Sequence, residues 1–232
     1  MQSIFFILIL IIVQYNINGE KKEEEEVVVV NLRIEGNEKT IFEGSITTKG
    51  HRVTTLSGGT NKCDGTNNNL SQISGPTLIS TLNLAAMTND FTWDGTYNKL
   101  YDDYFVTRIE NNSITDSKYW STLIDYKMTE IGGCQQKVKQ GQNILFAYDA
   151  FNKKHFLKLE TLNKTIQIGS PLTIKVTDGQ TGQPIHGAIV EDKQTNIQGY
   201  TTIIFYKLGI QTLKAHRLDS IRSNQVIINV TQ

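Results

Sequence analysis

The sequence predicts a mainly β protein with one short helix: a β-grasp-like α+β domain followed by an immunoglobulin-like β-sandwich. Three observations carry this expectation. Short apolar/polar alternations recur along most of the chain, the period of half-buried strands. One segment, around residues 78–86, has helical spacing. Beyond residue 154 the strand patterns crowd together with no helical stretch between them. At 232 residues the chain can supply two small domains, each with its own core.

Met1 to Gly19 carries no charged side chain and contains the apolar run Ile4 to Val13, with Asn16, Asn18 and Gly19 behind it. That is the outline of a secretory signal peptide over residues 1–19. The run falls well short of the roughly 20 apolar residues that span a bilayer, and no second run follows, so no transmembrane segment or hydrophobic tail for a lipid anchor is expected. Residues 20–26 read EKKEEEE, an acidic disordered leader. The 23 basic and 23 acidic side chains balance, which argues against nucleic acid as a partner. The expected location is extracellular.

The first domain is read over residues 27–154. Val28, Val30, Leu32 and Ile34 alternate with Val29, Asn31, Arg33 and Glu35, and a turn at Gly36-Asn37-Glu38 leads into Thr40 to Thr48, an opening hairpin. Gly58 to Pro76, dense in Gly, Asn, Ser and Thr, reads as a loop. Leu78, Leu82, Ala85 and Ala86 give the helix, with Thr77 placed to cap its start and Asn89 its end. Thr92 to Tyr97, Tyr104 to Glu110, Tyr119 to Met128 and Val138 to Ala150 read as strands, rich in aromatic and β-branched residues. Hairpin, helix and further strands is the order of a β-grasp.

The second domain, residues 155–232, follows a composition shift at Asn152-Lys153-Lys154-His155. Strands are expected at Phe156 to Leu159, Pro171 to Val176, Ala188 to Glu191, Tyr200 to Tyr206, Gly209 to Ala215 and Gln225 to Val230. Turn clusters such as Asp178-Gly179 and Gly182-Gln183-Pro184 separate them, the pattern of an immunoglobulin-like sandwich.

Cys63 and Cys134 are the two cysteines of a chain that reads as secreted, so one disulfide is expected. Neither sits in CxxC spacing, and His51, His155, His186 and His216 are scattered, so no metal site is expected. The oxygen-rich run Cys63 to Asn69 has the donor types of a Ca²⁺ loop without the spacing of an EF-hand. Asn69, Asn111, Asn163 and Asn229 head N-x-S/T sequons, as glycosylation acceptors do. No G-x-S-x-G turn marks a nucleophile. Asp102-Asp103, or Asp64 with Asp94, would be a carboxylate pair for glycoside hydrolysis, but Asp beside Gly is what turns require. No catalytic residue and no cofactor are expected, and the chain reads as a non-enzyme.

The aromatic set Trp93, Tyr97, Tyr101, Tyr104, Tyr119, Trp120 and Tyr126 is the strongest binding signal, because such faces stack on flat ligands and sugar rings. Trp120 is assigned to the core, and Trp93, Tyr97 and Tyr126 to an exposed ligand-contacting set.

The pieces "NLRIEGNEKTIFEG", "GGTNKCDGTNNN", "FTWDGTY", "DDYFVTRIENN", "YWSTLIDYKM", "GGCQQKV" and "NILFAYDAFNKKHFLKL" resemble, in order, a transcobalamin C-terminal-like domain over about Val29 to Leu159. The tail, "PLTIKVTDGQTGQPIHGAIV", "QGYTTIIF" and "LKAHRLDSIRSNQVIINV", resembles the Ig-like unit that often follows such a domain. The resemblance implies a β-grasp related to ligand-binding modules, including the smaller of the two domains that sandwich cobalamin in vitamin carriers. The large helical domain of those carriers has no counterpart here, so any corrinoid site would be half a site. The expected function is a secreted, non-enzymatic binding or adhesion module for a small molecule or glycan. The competing expectation is a structural or cell-surface protein whose Ig-like domain contacts a cell-wall or surface protein.

Overall fold

The structure, a computed structural model, describes residues 26–232; the expected signal peptide and all of the acidic leader but Glu26 lie outside the described residues. The alternation of Val28, Val30, Leu32 and Ile34 becomes β1 (Val27–Glu35), whose even-numbered residues are buried. It turns into β2 (Thr40–Lys49) as an antiparallel hairpin. The segment read as one loop contains part of a second hairpin, β3 (His51–Thr55) and β4 (Gly59–Cys63). Its turn is allowed by Gly59 at φ +66 and by Gly58, where any Cβ would come within 2.6 Å of the Gly95 carbonyl oxygen.

The helix α1 (Leu78–Thr88) begins where Thr77 predicts. Thr77 Oγ1 accepts from the Ser80 N–H at 3.1 Å, and Ser80 Oγ accepts from the Thr77 N–H at 2.8 Å, a reciprocal cap. A separate antiparallel sheet follows, β5 (Trp93–Asn98), β6 (Asp103–Ile109) and β7 (Asn112–Ser113). The chain then rejoins the first sheet through β8 (Trp120–Ile124), β9 (Lys127–Met128) and β10 (Asn143–Tyr148), giving the order β2-β1-β10-β8-β9. β10 lies parallel to β1, with Leu32 opposite Ile144 and Ile34 opposite Phe146. Leu78, Ile79, Leu82 and Ala85 of the helix pack into the core made by those residues. The first sheet thus joins a hairpin to a later strand parallel to β1, with the helix packed on one of its faces.

The stretch read as one strand, Tyr119 to Met128, is two strands folded at Asp125-Tyr126, both left-handed (φ 47 and 64), in a two-residue turn. Neither residue is the Gly or Asn that usually signals such a turn, which is why the sequence hides it.

The second unit comprises β11 (His155–Glu160), β12 (Thr165–Gln167), β13 (Pro171–Asp178), β14 (Ile189–Val190), β15 (Lys193–Gln194), β16 (Tyr200–Ile204), β17 (Gly209–Leu213), β18 (Ala215–His216), β19 (Ser220–Ile221) and β20 (Val226–Thr231). Sheet β16-β13-β11-β19 and sheet β12-β20-β17 share one core, Leu157, Leu159, Leu172, Ile174 and Val176 packing with Leu213, Val226, Ile228 and Val230. Two pairings, β11 with β19 and β12 with β20, are parallel, a feature that period-2 alternation cannot report. The described residues are thus mainly β with one α-helix, as the sequence predicts.

A third apolar cluster joins the units: Leu123, Leu145 and Ala147 from the sheet face opposite the helix meet Ala150, Phe156 and Ile221. Beside it lies a charged network. Glu35 receives Lys214 Nζ at 2.7 Å and Arg222 Nε at 2.8 Å, and Lys214 also reaches Glu43 at 2.7 Å. This explains why Arg33 and Glu35, which alternation places on the solvent side of β1, are buried.

Candidate functional site

The tip of the β5–β6 hairpin folds against the loop that carries the disulfide. Cys63, at the end of β4, is bonded to Cys134, and both are fully buried beside the cap of α1. Tyr104 anchors the hairpin: it is 4 % exposed, and its hydroxyl lies 2.7 Å from the carbonyls of both Val53 and Gly59. Trp93 and Tyr97 meet its ring edge-on, at 6.1 and 5.0 Å between centroids. Trp93 Nε1 donates to Asn83 Oδ1 at 3.3 Å, and the Tyr97 hydroxyl donates to Asp102.

The two adjacent aspartates do different work. Asp102, left-handed at φ 51, accepts from the Asn68 N–H at 2.7 Å and so ties the hairpin to the loop at Asn67–Asn69. Burial pushes its carboxyl up, but the bonds from Tyr97 and Asn68, the Lys62 charge and Asn67 prevail and hold it below the ordinary carboxylate range. Burial likewise pushes the Tyr97 phenol up, helped by its bond to Asp102. Asp103 accepts from the Cys134 N–H at 2.8 Å. For Asp103 burial prevails over the N–H groups of Cys134, Tyr104 and Gly133, and its carboxyl is pushed up to about 6. Gly132 is required beside it, because a Cβ there would lie 2.0 Å from Asp103 Oδ2.

Between the hairpin tip and the disulfide loop runs a groove of about 480 Å³, lined by Tyr101, Phe105 and Ile131, the carboxyls of Asp103 and Glu130, and the amides of Asn68, Asn98 and Gln135. Tyr101 is 62 % and Phe105 47 % exposed. The Tyr101 backbone is held by side chains: Asn98 Oδ1 accepts from the Leu100 and Tyr101 N–H groups, and Gln135 Nε2 donates to the Tyr101 carbonyl at 2.7 Å. The groove offers ring faces for stacking and acceptors for a ligand's N–H or O–H groups.

Of the three aromatics assigned to ligand contact, Trp93 and Tyr97 are brought together, but as half-buried supports behind the groove. Tyr126 is not with them: it lies at the junction of the two units, its ring under Arg33 at 5.7 Å and its hydroxyl 3.3 Å from Asn224 Oδ1. The expectation that these are the exposed set is therefore corrected. On the same hairpin and the strand segment that follows, Tyr101, Phe105 and Tyr119 are more exposed than these three. Phe105 alternates with Tyr104 along β6 and so faces away from the core, a parity that could be read only once one ring was known to be inside. Trp120 is in the core, 7 % exposed.

Asp64 is engaged by Thr66, and Asp94 by Ser57 and the Gly95 N–H, each within its own loop contact. Among the described residues no group of three His, Cys, Asp or Glu side chains is placed to hold a metal. Asn69, Asn111, Asn163 and Asn229 all have exposed side chains. No helix of the described residues is long and apolar enough to cross a membrane.

A family model described as a domain of unknown function (DUF4430) matches residues 77–150, from the helix cap through the groove to the last strand of the first sheet. No curated protein matches the chain. Among solved structures, a crystal structure of haptocorrin in complex with Cbi is similar at 17% identity and a TM-score of 0.36, covering 58% of this chain. The chain spans only 26% of that protein's length.

Proposed function

We propose that this protein is a secreted, non-enzymatic binding module whose groove beside the Cys63–Cys134 bridge takes a small ring-bearing molecule with hydrogen-bond donors. The observation that carries this reading is the pairing of two exposed rings, Tyr101 and Phe105, with the acceptors Asp103 and Glu130 on a backbone held by side-chain bonds. A site already in its bound shape loses less ordering entropy on association. The engagement of Asp64, Asp94 and Asp102 in local bonds supports binding over catalysis, and the buried disulfide and accessible sequons support secretion. A ligand screen by thermal shift with the mature protein tests it: hits should lose at least tenfold in affinity in Phe105→Ala, and hits indifferent to both Phe105→Ala and Tyr101→Ala would remove the groove from the account.

The second reading, a surface protein whose sandwich contacts another protein, is favoured by one feature. Tyr206, Leu208 and Ile210 stand 79, 46 and 66 % exposed along and beside the edge strand β17. Contiguous exposed apolar side chains of this kind mark contact surfaces. Tyr206→Ser with Ile210→Ser should leave small-molecule binding intact while abolishing any cell-surface attachment.

A further inference from the structure

A second cavity lies at the junction of the two units, away from the groove. The sandwich overhangs the outer face of the first sheet, leaving a cleft of about 750 Å³ between Asn31, Ser45 and Asn143 on the sheet and Lys158, Glu160 and Ile227 on the sandwich. Register aligns its floor: Asn31 is the partner of Ser45 across β1–β2 and of Asn143 across β1–β10. The three side chains form a ladder. Ser45 Oγ donates to Asn31 Oδ1 at 3.1 Å, Asn31 Nδ2 to Asn143 Oδ1 at 3.2 Å, and Asn143 Nδ2 to Asp125 Oδ1 at 3.0 Å. Each amide nitrogen carries two N–H groups and each oxygen two lone pairs, so the ladder keeps donors and acceptors for a ligand while its members hold one another in place.

Charge around this floor largely cancels. Lys158 is paired with Glu160 at 2.7 Å, and Arg33 and Glu43 are drawn into the junction network with Glu35 and Lys214, which leaves Lys164 as the one lining charge outside these ion pairs. A charged ligand therefore gains little from the cleft, since screened surface charges contribute about 1 kcal/mol or less each. Ile227, 49 % exposed, adds an apolar wall. A surface with amides on one side, an apolar side chain on the other and all but one of its charges paired fits a molecule with a hydroxyl rim and C–H faces. We propose that the interdomain cleft is a second binding site, for a neutral, hydroxyl-rich oligosaccharide. The buried network on Glu35 fixes the two walls before ligand arrives.

The full mature chain titrated with cellohexaose, maltohexaose and chitohexaose tests this by calorimetry and amide NMR. At least one should bind with Kd below about 1 mM and shift the side-chain amide signals of Asn31 and Asn143. Asn143→Leu and Ile227→Arg should each weaken that binding tenfold or more, Ile227→Arg by filling the cleft without touching the ladder, whereas Phe105→Ala should leave it unchanged. Absence of binding by all three sugars, signal changes confined to the groove around Tyr101, or unaltered affinity in Ile227→Arg overturns the proposal. So does much tighter, salt-sensitive binding of hexagalacturonate, which would make the site an anion site.

Discussion

Glu35 and Arg222, 187 residues apart in the chain, meet at 2.8 Å inside the junction between the two units. The Glu35 side chain is 1% exposed, while those of Arg222 and Lys214 are 21% and 22% exposed. Removing the carboxylate leaves three cations, Lys214, Arg222 and the buried Arg33, in a partly dry site where only Lys214 keeps a second carboxylate, Glu43. Glu35→Ala should therefore cost about 3 kcal/mol, toward the low end for a broken buried pair because Lys214 and Arg222 can turn toward water. Urea unfolding measures it; a loss below about 1 kcal/mol would place the network outside the stabilising core.

Cys63 and Cys134, separated by 71 residues, close a loop that contains the helix and the β5–β6–β7 sheet. The chain-entropy model gives such a bridge about 4 kcal/mol. Intact mass after alkylation should show no free thiol in the native protein, and the double variant Cys63→Ala/Cys134→Ala should unfold at a markedly lower urea midpoint. Two thiols alkylated without reduction would refute the bridge.

Asp103 supplies a pH test. Its folded pKa is raised from 3.8 to about 6, so between those values the folded state holds more protons than the unfolded one, and stability falls as pH rises through the window. At neutral pH the ionised, half-buried carboxylate costs up to about 3 kcal/mol relative to pH 4. Asp103→Asn keeps an oxygen for the Cys134 N–H and removes the titration. The variant's stability relative to the native protein should improve between pH 4 and pH 7.5, and a difference independent of pH contradicts the assigned shift.

The resemblance to the smaller domain of cobalamin carriers leads to a negative expectation. The large helical domain that those carriers set against the corrin has no counterpart among the described residues, whose only α-helix spans 11 residues. Association costs several kcal/mol before any contact is gained, and losing one face removes much of the return. Cobalamin should bind the isolated protein no more tightly than about the micromolar range, roughly 8 kcal/mol. Nanomolar binding by calorimetry would show that one domain is enough.

Much of the fold was legible in local pattern. Val28 to Ile34, Leu172 to Val176 and Val226 to Val230 alternate because one face of each strand is buried, and that period survives in the residue types. Thr77 and the spacing of Leu78, Leu82 and Ala85 set the helix, because capping and helical burial act over a few residues. Hidden from the sequence were the short strands such as β7 and β19, too brief to show a period, and the Asp125-Tyr126 turn, a left-handed pair that contains neither Gly nor Asn.

The sequence by itself determined the β-rich class, the single helix with its cap, and the two cysteines available for a bridge, because each depends on neighbours in the chain or on compartment chemistry. Only the tertiary structure decided which aromatics face solvent. Trp93 and Tyr97 turn inward because Tyr104, across the hairpin, offers its ring edge there, and Phe105 turns out because it follows Tyr104. It alone placed Tyr126 against Arg33 and built the cleft floor from Asn31, Ser45 and Asn143. Such groups come together through strand register and the docking of one unit on another, and those long-range pairings leave no period along the chain.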